Sequence, residues 1–415
     1  MEAVFRRNKC AVEPLKMKKT MVCILQGDDL GTEETETAGR VLTELLRTKE
    51  DELQWTVSGE ESPRSLGEII LRFPECEAVI FLQSTAFITP EGVLTLSDIV
   101  RRNTIFDVVA PVSNESSLHH QRYAPPFPYQ TLSVFQWAAG EIYNSFGDTV
   151  QAADEIDRFC FALRSDTLRL LPKETAIETV PDVIRDKGMR CGIAKGVYVH
   201  RYGNIYESGR EDLLAHVPDD AEEILDIGCA RGLFGELLKK RHECRVTGID
   251  MDIRLLSHAK GRIDEVIHGD IEEVIGRGIL KRYDCIVCGD ILEHLRNPWS
   301  VAHKLARHLT TRGRFIASTP NINNWAILHE LLNGEWNYVP FSILSGSHVR
   351  FFTRKTLAGL FQGAGYHVKE TRLHGIGVPP RGEEFIEKLM KILPGTDKEE
   401  LMASEITLIA ERRSS

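Results

Sequence analysis

EILDIGCARG at 223–232, LFGELLKKR at 233–241 and RVTGID at 245–250 together decide the fold of this chain. The apolar pair Ile224 and Leu225 reads as a buried strand. It runs into a turn that carries a carboxylate at Asp226 and small residues at Gly228, Ala230 and Gly232. A helix opens at once. Such a turn lets the backbone approach a ligand closely and sets helix N–H groups beside it. The second strand ends in a carboxylate at Asp250, placed to hold the two hydroxyls of a ribose. Dehydrogenases share a glycine turn of this kind, so the segments that follow must decide between readings.

Those segments are HGD at 268–270, YDCIVCGDILEHLRNP at 283–298 and GRFIASTPN at 313–321. In this order they resemble the class I S-adenosylmethionine-dependent methyltransferases. The resemblance implies that the turn cradles the methionine part of the cofactor, the second strand end its ribose, and the GD pair its adenine. Carried over residue by residue, the cofactor-binding set is Asp226, Gly228, Ala230, Gly232, Asp250, Asp270, Ile271 and Asp290. Ala230 stands where many members have glycine; its methyl group is small, and little harm is expected. A dinucleotide-binding Rossmann domain is the competing reading, but LEHL and STPN have no job in it.

At 415 residues the chain is long enough for two domains with separate cores. Hydrophobic content of 42% and charged content of 27% are those of an ordinary soluble protein. A net charge of −10 argues against a surface that coats nucleic acid. No apolar run is long enough for a membrane span, and the start lacks a signal-peptide core. Nine cysteines without framework spacing suit a reducing cytosol, so a cytoplasmic location is expected. Cys285 and Cys288 have metal-pair spacing, but they fall inside a predicted strand with no second pair, and buried small apolar residues are the better reading.

Residues 1–19 form a basic tail, with Arg6, Arg7, Lys9, Lys16, Lys18 and Lys19. Residues 20–207 alternate strand and helix: TMVCILQ, AVIFLQ, FDVVAPVSN and CGIAKGVYVHRYG read as strands, and ETAGRVLTELLRT, SLGEIILRF and GVLTLSDIVRR as helices. Such apolar runs between amphipathic helices predict a parallel sheet covered on both faces. VVAPVSN at 108–114, DRFCFALRSDTLRLL at 157–171 and GMRCGIAKGVYVHRYG at 188–203 resemble the inverting glycosyltransferases of family 2. That resemblance implies a nucleotide-sugar-binding α/β fold. Where the family places a metal-binding aspartate pair, this chain has Gln83, Ser84 and Thr85, which gives a divalent ion no carboxylate. The region is therefore expected to be a degenerate glycosyltransferase-like domain, sugar-binding or structural.

The fold class expected is α/β, with two domains that are each a mostly parallel sheet covered by helices. The second, 208–415, is expected to be a seven-stranded Rossmann-like methyltransferase domain. After its fourth strand stand Asp290, Glu293 and His294. On a helical turn, positions i, i+3 and i+4 share one face, so all three would converge. This D-x-x-E-H resembles the E-x-x-E-H signature of ubiquinone-type and small-RNA O-methyltransferases, where it binds a divalent metal. The shorter Asp290 speaks against a metal here. His294, Glu293 and His348 are the catalytic candidates, with His294 as base; Asp290, Glu293, His294 and His348 would be the ligands of any metal.

Between STPN and RFF, Trp325, Trp336, Tyr338 and Phe341 offer flat apolar faces, and Asn321, Asn323 and Asn324 offer amides, a combination that grips sugars and also builds ordinary lids. The GEWNY and SHVRFFT segments resemble a bacterial methyltransferase subgroup associated with surface polysaccharides. The expected function is O-methylation of a sugar on a nucleotide- or lipid-linked glycan, with glycosyltransferase partners. Two alternatives stand: a phenolic or quinone-like acceptor, and a non-catalytic scaffold in a glycan-assembly complex.

Overall fold

The computed structural model of the chain describes residues 20–25, 33–51, 53–57, 63, 65–201 and 209–413. The basic tail and residues 202–208, including the last two residues of the expected strand CGIAKGVYVHRYG, lie outside these. Two compact units emerge, one from residues 42–124 and 142–201 with the strand at 20–25, the other chiefly from Pro125–Glu141 and residue 209 onward.

The first unit holds β1 (Thr20–Leu25), β2 (Leu53–Val57), β3 (Ala78–Gln83), β4 (Ala86–Phe87), β5 (Val108–Ser113), β6 (Val150–Ala153), β7 (Cys160–Arg164) and β8 (Cys191–Arg201). They are ordered β2-β1-β3-β7-β5-β8-β4, with β6 also on β8. β1, β3 and β5 are buried almost throughout, as strands covered on both faces must be. The sheet is not mostly parallel as expected. β7 runs antiparallel between β3 and β5, and β4 and β6 run antiparallel to β8. A strand apolar on both faces reads the same in either direction, so the pattern cannot state polarity. Phe81 and Phe161, opposite each other on β3 and β7, stack with centroids 5.0 Å apart.

The second unit is built on β9 (Glu223–Ile227), β10 (Arg245–Asp250), β11 (Glu265–His268), β12 (Tyr283–Gly289), β13 (Leu309–Pro320), β14 (Tyr366–His374) and β15 (Glu405–Arg412). These form a seven-stranded sheet in the order β11-β10-β9-β12-β13-β15-β14. The five strands from β11 to β13 are mutually parallel, and β15 is antiparallel to both of its neighbours. Alternate residues feed opposite cores. Ile224, Val246, Cys285, Val287 and Ile316 pack with the helices Leu233–Arg241 and Ile253–Ala259. Leu225, Ile286, Cys288 and Phe315 pack with Pro298–Leu305 and Arg354–Gly363 on the other face. Cys285 and Cys288 thus sit in separate cores and cannot share a ligand.

Packing leaves no room for a side chain beneath the β9 turn. Gly248 pairs with Asp226 across the β9–β10 ladder, and a Cβ there would stand 2.6 Å from Cys229 Sγ and 2.5 Å from Ile263 Cδ1. Gly248→Ala is expected to lower stability by about 1–3 kcal/mol through overpacking. Urea denaturation followed by circular dichroism checks this; an unchanged midpoint would show that the turn can yield.

Candidate active site

The turn after β9 is held by three residues with left-handed backbone, Gly228 at φ 77°, Ala230 at φ 46° and Gly232 at φ 79°. Gly228 and Cys229 donate their N–H groups to the Ile249 carbonyl at 2.8 and 3.1 Å. A Cβ on Gly228 would overlap Ile291, and one on Gly232 would press on Ala259, so glycine is required at both for space as well as conformation. The cost of alanine at 230 lies in its backbone rather than in the bulk of its methyl group, about 1–2 kcal/mol for an L-residue in this region.

Asp250 closes the turn. Its two carboxylate oxygens accept the N–H groups of Ala230 at 2.9 Å and Asp252 at 2.8 Å. Burial raises its pKa, and those two hydrogen bonds oppose the rise. Asp226 is 5% exposed, and its Oδ2 has no hydrogen-bond partner. Burial, and then the Asp250 charge, raise the Asp226 pKa to about 7. Asp270 caps the short helix Ile271–Val274 through the Glu272 N–H at 2.8 Å and meets Arg296 at 3.2 Å. Ile271 is in the core, 4% exposed.

The D-x-x-E-H segment is not a helical turn. Asp290 has left-handed backbone, φ 54°, and a three-residue turn follows, with His294 N–H donating to the Ile291 carbonyl at 3.0 Å. Asp290 is thereby directed to Arg210 and to Ser318, whose hydroxyl donates to it at 2.8 Å. Arg210 also holds Asp212 at 2.8 Å and Glu405 at 2.5 Å. Burial, then the Asp290 charge, push Glu405 up to about 7. Arg210 and Ser318 escaped the sequence reading: their partners lie 80 and 28 residues from them along the chain, and no local spacing announces that.

Glu293 and His294 instead meet His348. One ligand atom from each of the three lies within 4.8 Å of the others, and the imidazole centroids are 4.9 Å apart. The Val349 and Arg350 N–H groups donate to the Glu293 carbonyl at 2.9 and 3.0 Å, which ties the His348 loop to this turn. Glu293 is 1% exposed, and neither carboxylate oxygen has a hydrogen-bond partner. Burial and then the Asp290 charge raise its pKa well above the ordinary range. His294 Nδ1 lies 3.3 Å from the Ser347 carbonyl and His348 Nδ1 2.9 Å from that of Ile343. A carbonyl only accepts, so each Nδ1 carries the proton and each lone pair is on Nε2.

In the insert, the amides of Asn321 and Asn324 are engaged with the backbone. Asn321 donates from Nδ2 to the Glu400 and Ala403 carbonyls, and Asn324 to those of Met402 and Ala403. These amides fasten the chain after β13 to the end of the short helix Lys398–Met402 that precedes β15. Trp325 and Phe341 are buried, while Trp336 and Tyr338 stay 39% and 43% exposed.

Residues 198–371 match the family described as Methyltransferase domain. The ubiquinone biosynthesis O-methyltransferase of Klebsiella pneumoniae (strain 342) is 30% identical over 184 residues, which are 42% of this chain and 72% of that protein. The protein of the same name from Aeromonas salmonicida (strain A449) is 27% identical over 169 residues, 40% of this chain and 70% of its own. A solved S-adenosylmethionine-dependent methyltransferase from Archaeoglobus fulgidus aligns at 18% identity and TM-score 0.37, over 50% of this chain and 96% of its own. With its glycine turn, paired acidic strand ends and this kinship, the chain belongs to the class I S-adenosylmethionine-dependent methyltransferases, and S-adenosylmethionine is its cofactor.

Two outcomes follow for the acidic pair. Asp226 has a folded pKa raised above its unfolded value, so its contribution to stability is full below 3.8 and is lost as pH rises through about 7. In the cofactor-free protein, Asp226→Asn is expected to raise stability at pH 8 by about 1–3 kcal/mol and to change it little near pH 4, by urea denaturation at both. A loss at pH 8 would contradict this. Asp250→Ala is expected to weaken S-adenosylhomocysteine binding by about 1.5–3 kcal/mol in calorimetry; unchanged affinity would move the ribose elsewhere.

Proposed function

We propose that this methyltransferase acts on a hydroxyl oxygen, with His294 as base, and that its acceptor is a sugar of a nucleotide- or lipid-linked glycan in surface polysaccharide assembly. The observation that carries the hydroxyl reading is the convergence of Glu293, His294 and His348 beside the β9 turn, which Ile291 touches at Gly228. The bound cofactor supplies an electrophilic methyl group on a sulfonium. The protein then has to hold the acceptor oxygen in line, about 3 Å from that carbon. The Nε2 lone pair of His294 takes the hydroxyl proton. Its Nδ1–H remains on the Ser347 carbonyl.

One carboxylate and two imidazoles within 4.8 Å also fit a divalent ion, and the unpartnered oxygens of Glu293 are the strongest sign of it. Glu293, His294 and His348 would hold such an ion, which lowers the pKa of a bound hydroxyl. Asp290, counted among the ligands from the sequence, is engaged by Arg210 and Ser318 instead.

The glycan reading draws support from the resemblance of the first unit to family 2 glycosyltransferases. In that reading the unit holds carbohydrate or docks a glycosyltransferase, since Gln83, Ser84 and Thr85 follow the apolar run of β3 where a metal-binding pair would stand. The half-exposed Trp336 and Tyr338 suit the CH face of a sugar. A phenolic or quinone-like acceptor is the second reading. The names of the Klebsiella and Aeromonas relatives favour it, and so does the internal engagement of Asn321 and Asn324.

Methylated-sugar analysis of surface polysaccharide, with and without the gene, separates the two. Loss of one O-methyl sugar with its unmethylated parent appearing supports the glycan; an unchanged profile moves the acceptor to phenols. His294→Ala is expected to lower turnover by about 10²-fold or more, and near-normal turnover would place the base elsewhere. If a metal serves the site, chelation lowers wild-type turnover and Glu293→Gln abolishes rescue by magnesium.

A further inference from the structure

Residues Pro125–Glu141 are grouped with the methyltransferase unit, although in sequence they lie among the strands of the first. They pack on the insert that carries His348. Ser342, with left-handed backbone at φ 63°, donates its hydroxyl to Gln130 Oε1. Phe341 lies edge-on between Tyr129 and Phe135, with centroids 5.7 Å from each. Glu330, 1% exposed, accepts the backbone N–H of Ser133 at 3.1 Å and its hydroxyl at 2.6 Å. Arg381 covers Trp137 at 4.9 Å.

Phe341 and Ser342 begin a loop that closes on itself. Val339 N–H donates to the Leu344 carbonyl at 3.0 Å, and Gly346 N–H to that of Val339 at 3.2 Å. The loop presents two more carbonyls outward from its backbone, those of Ile343 and Ser347, and these receive Nδ1 of His348 and of His294. The imidazoles therefore inherit their tautomer and ring orientation from the loop, and the loop is seated on Tyr129, Gln130 and Phe135.

We propose that Gln130, with the aromatic pair Tyr129 and Phe135, is a positioning element for the two histidines, so that the N-terminal half supplies a working part of the methyltransferase site. The proposal rests on the histidine reading above for its effect on turnover, but not for its effect on the rings. Gln130 has to accept a hydrogen bond, because Ser342 donates. Gln130→Leu removes the acceptor at similar size, whereas Gln130→Glu keeps a carboxyl oxygen at the same place.

The test uses the full chain with ¹⁵N-labelled histidine, and no ligand is needed. The long-range ¹H–¹⁵N spectrum reports which ring nitrogen of His348 and His294 carries the proton. The wild type should show each ring as a single Nδ1–H form. Gln130→Leu should turn His348 into a mixture of comparable populations, lower kcat about tenfold and leave S-adenosylhomocysteine affinity unchanged; Gln130→Glu should restore the wild-type spectrum and kcat to within about twofold. Phe341→Leu, which thins the aromatic seat without emptying it, provides a second variant should Gln130→Leu fail to fold. A single unshifted tautomer in a folded Gln130→Leu or Phe341→Leu protein overturns the positioning role. A shifted tautomer with unchanged kcat supports the positioning and overturns the assignment of the histidines to catalysis, so the two failures are distinct.

Discussion

The second unit depends on one carboxylate that two backbone N–H groups share. Asp250 receives Ala230 and Asp252, and so fixes a turn with left-handed backbone at 228, 230 and 232, of which only Ala230 is strained by it. The arrangement is affordable because β9 and β10 are already aligned by a buried parallel ladder on which Gly248 leaves room. Its consequence is electrostatic. Asp226 is buried next to Asp250, and without a counter-charge one of the two is driven toward its neutral form. A positive charge brought beside the pair would relieve that repulsion.

On the acceptor side the controlling feature is the left-handed backbone at Asp290. It separates a carboxylate from the two side chains that follow. Asp290 goes to Arg210 and Ser318, inside a group of three carboxylates around one guanidinium. Glu293 and His294 go to the His348 loop. Glu293 has no hydrogen-bonding compensation for its burial, which costs several times what a surface carboxylate would. A protein keeps such a group where a proton or a cation is to be held.

The insert after β13 serves this arrangement as scaffold more than as wall. Asn321 and Asn324, which look in sequence like pocket amides, bind the backbone near β15. Their amides satisfy carbonyls at 402 and 403, which end the short helix Lys398–Met402 and would otherwise be unpaired. What the insert leaves half-exposed is an apolar surface at Trp336 and Tyr338.

The sequence by itself determined the β9 turn and the carboxylates beside it. Gly228, Gly232, Asp226 and Asp250 belong to one βαβ unit, and local spacing fixes where such residues fall relative to a strand end and a helix start. β9, β10, β12 and β13 were legible for the same reason, as apolar runs with turn chemistry between them, whereas the count of seven strands came from the family resemblance alone. Tertiary structure alone decided the rest. The direction of β7 could not be read, because a doubly buried strand has no polarity in its pattern. Asp290 could not be separated from Glu293 and His294 by spacing, since its backbone conformation answers to Arg210, far away in the chain. His348 was visible as a candidate, but its meeting with His294 depends on two N–H groups reaching the Glu293 carbonyl across the fold. Local chemistry is encoded in neighbouring residues, whereas the pairing of distant charges and loops is settled only when burial forces each polar group to find a partner.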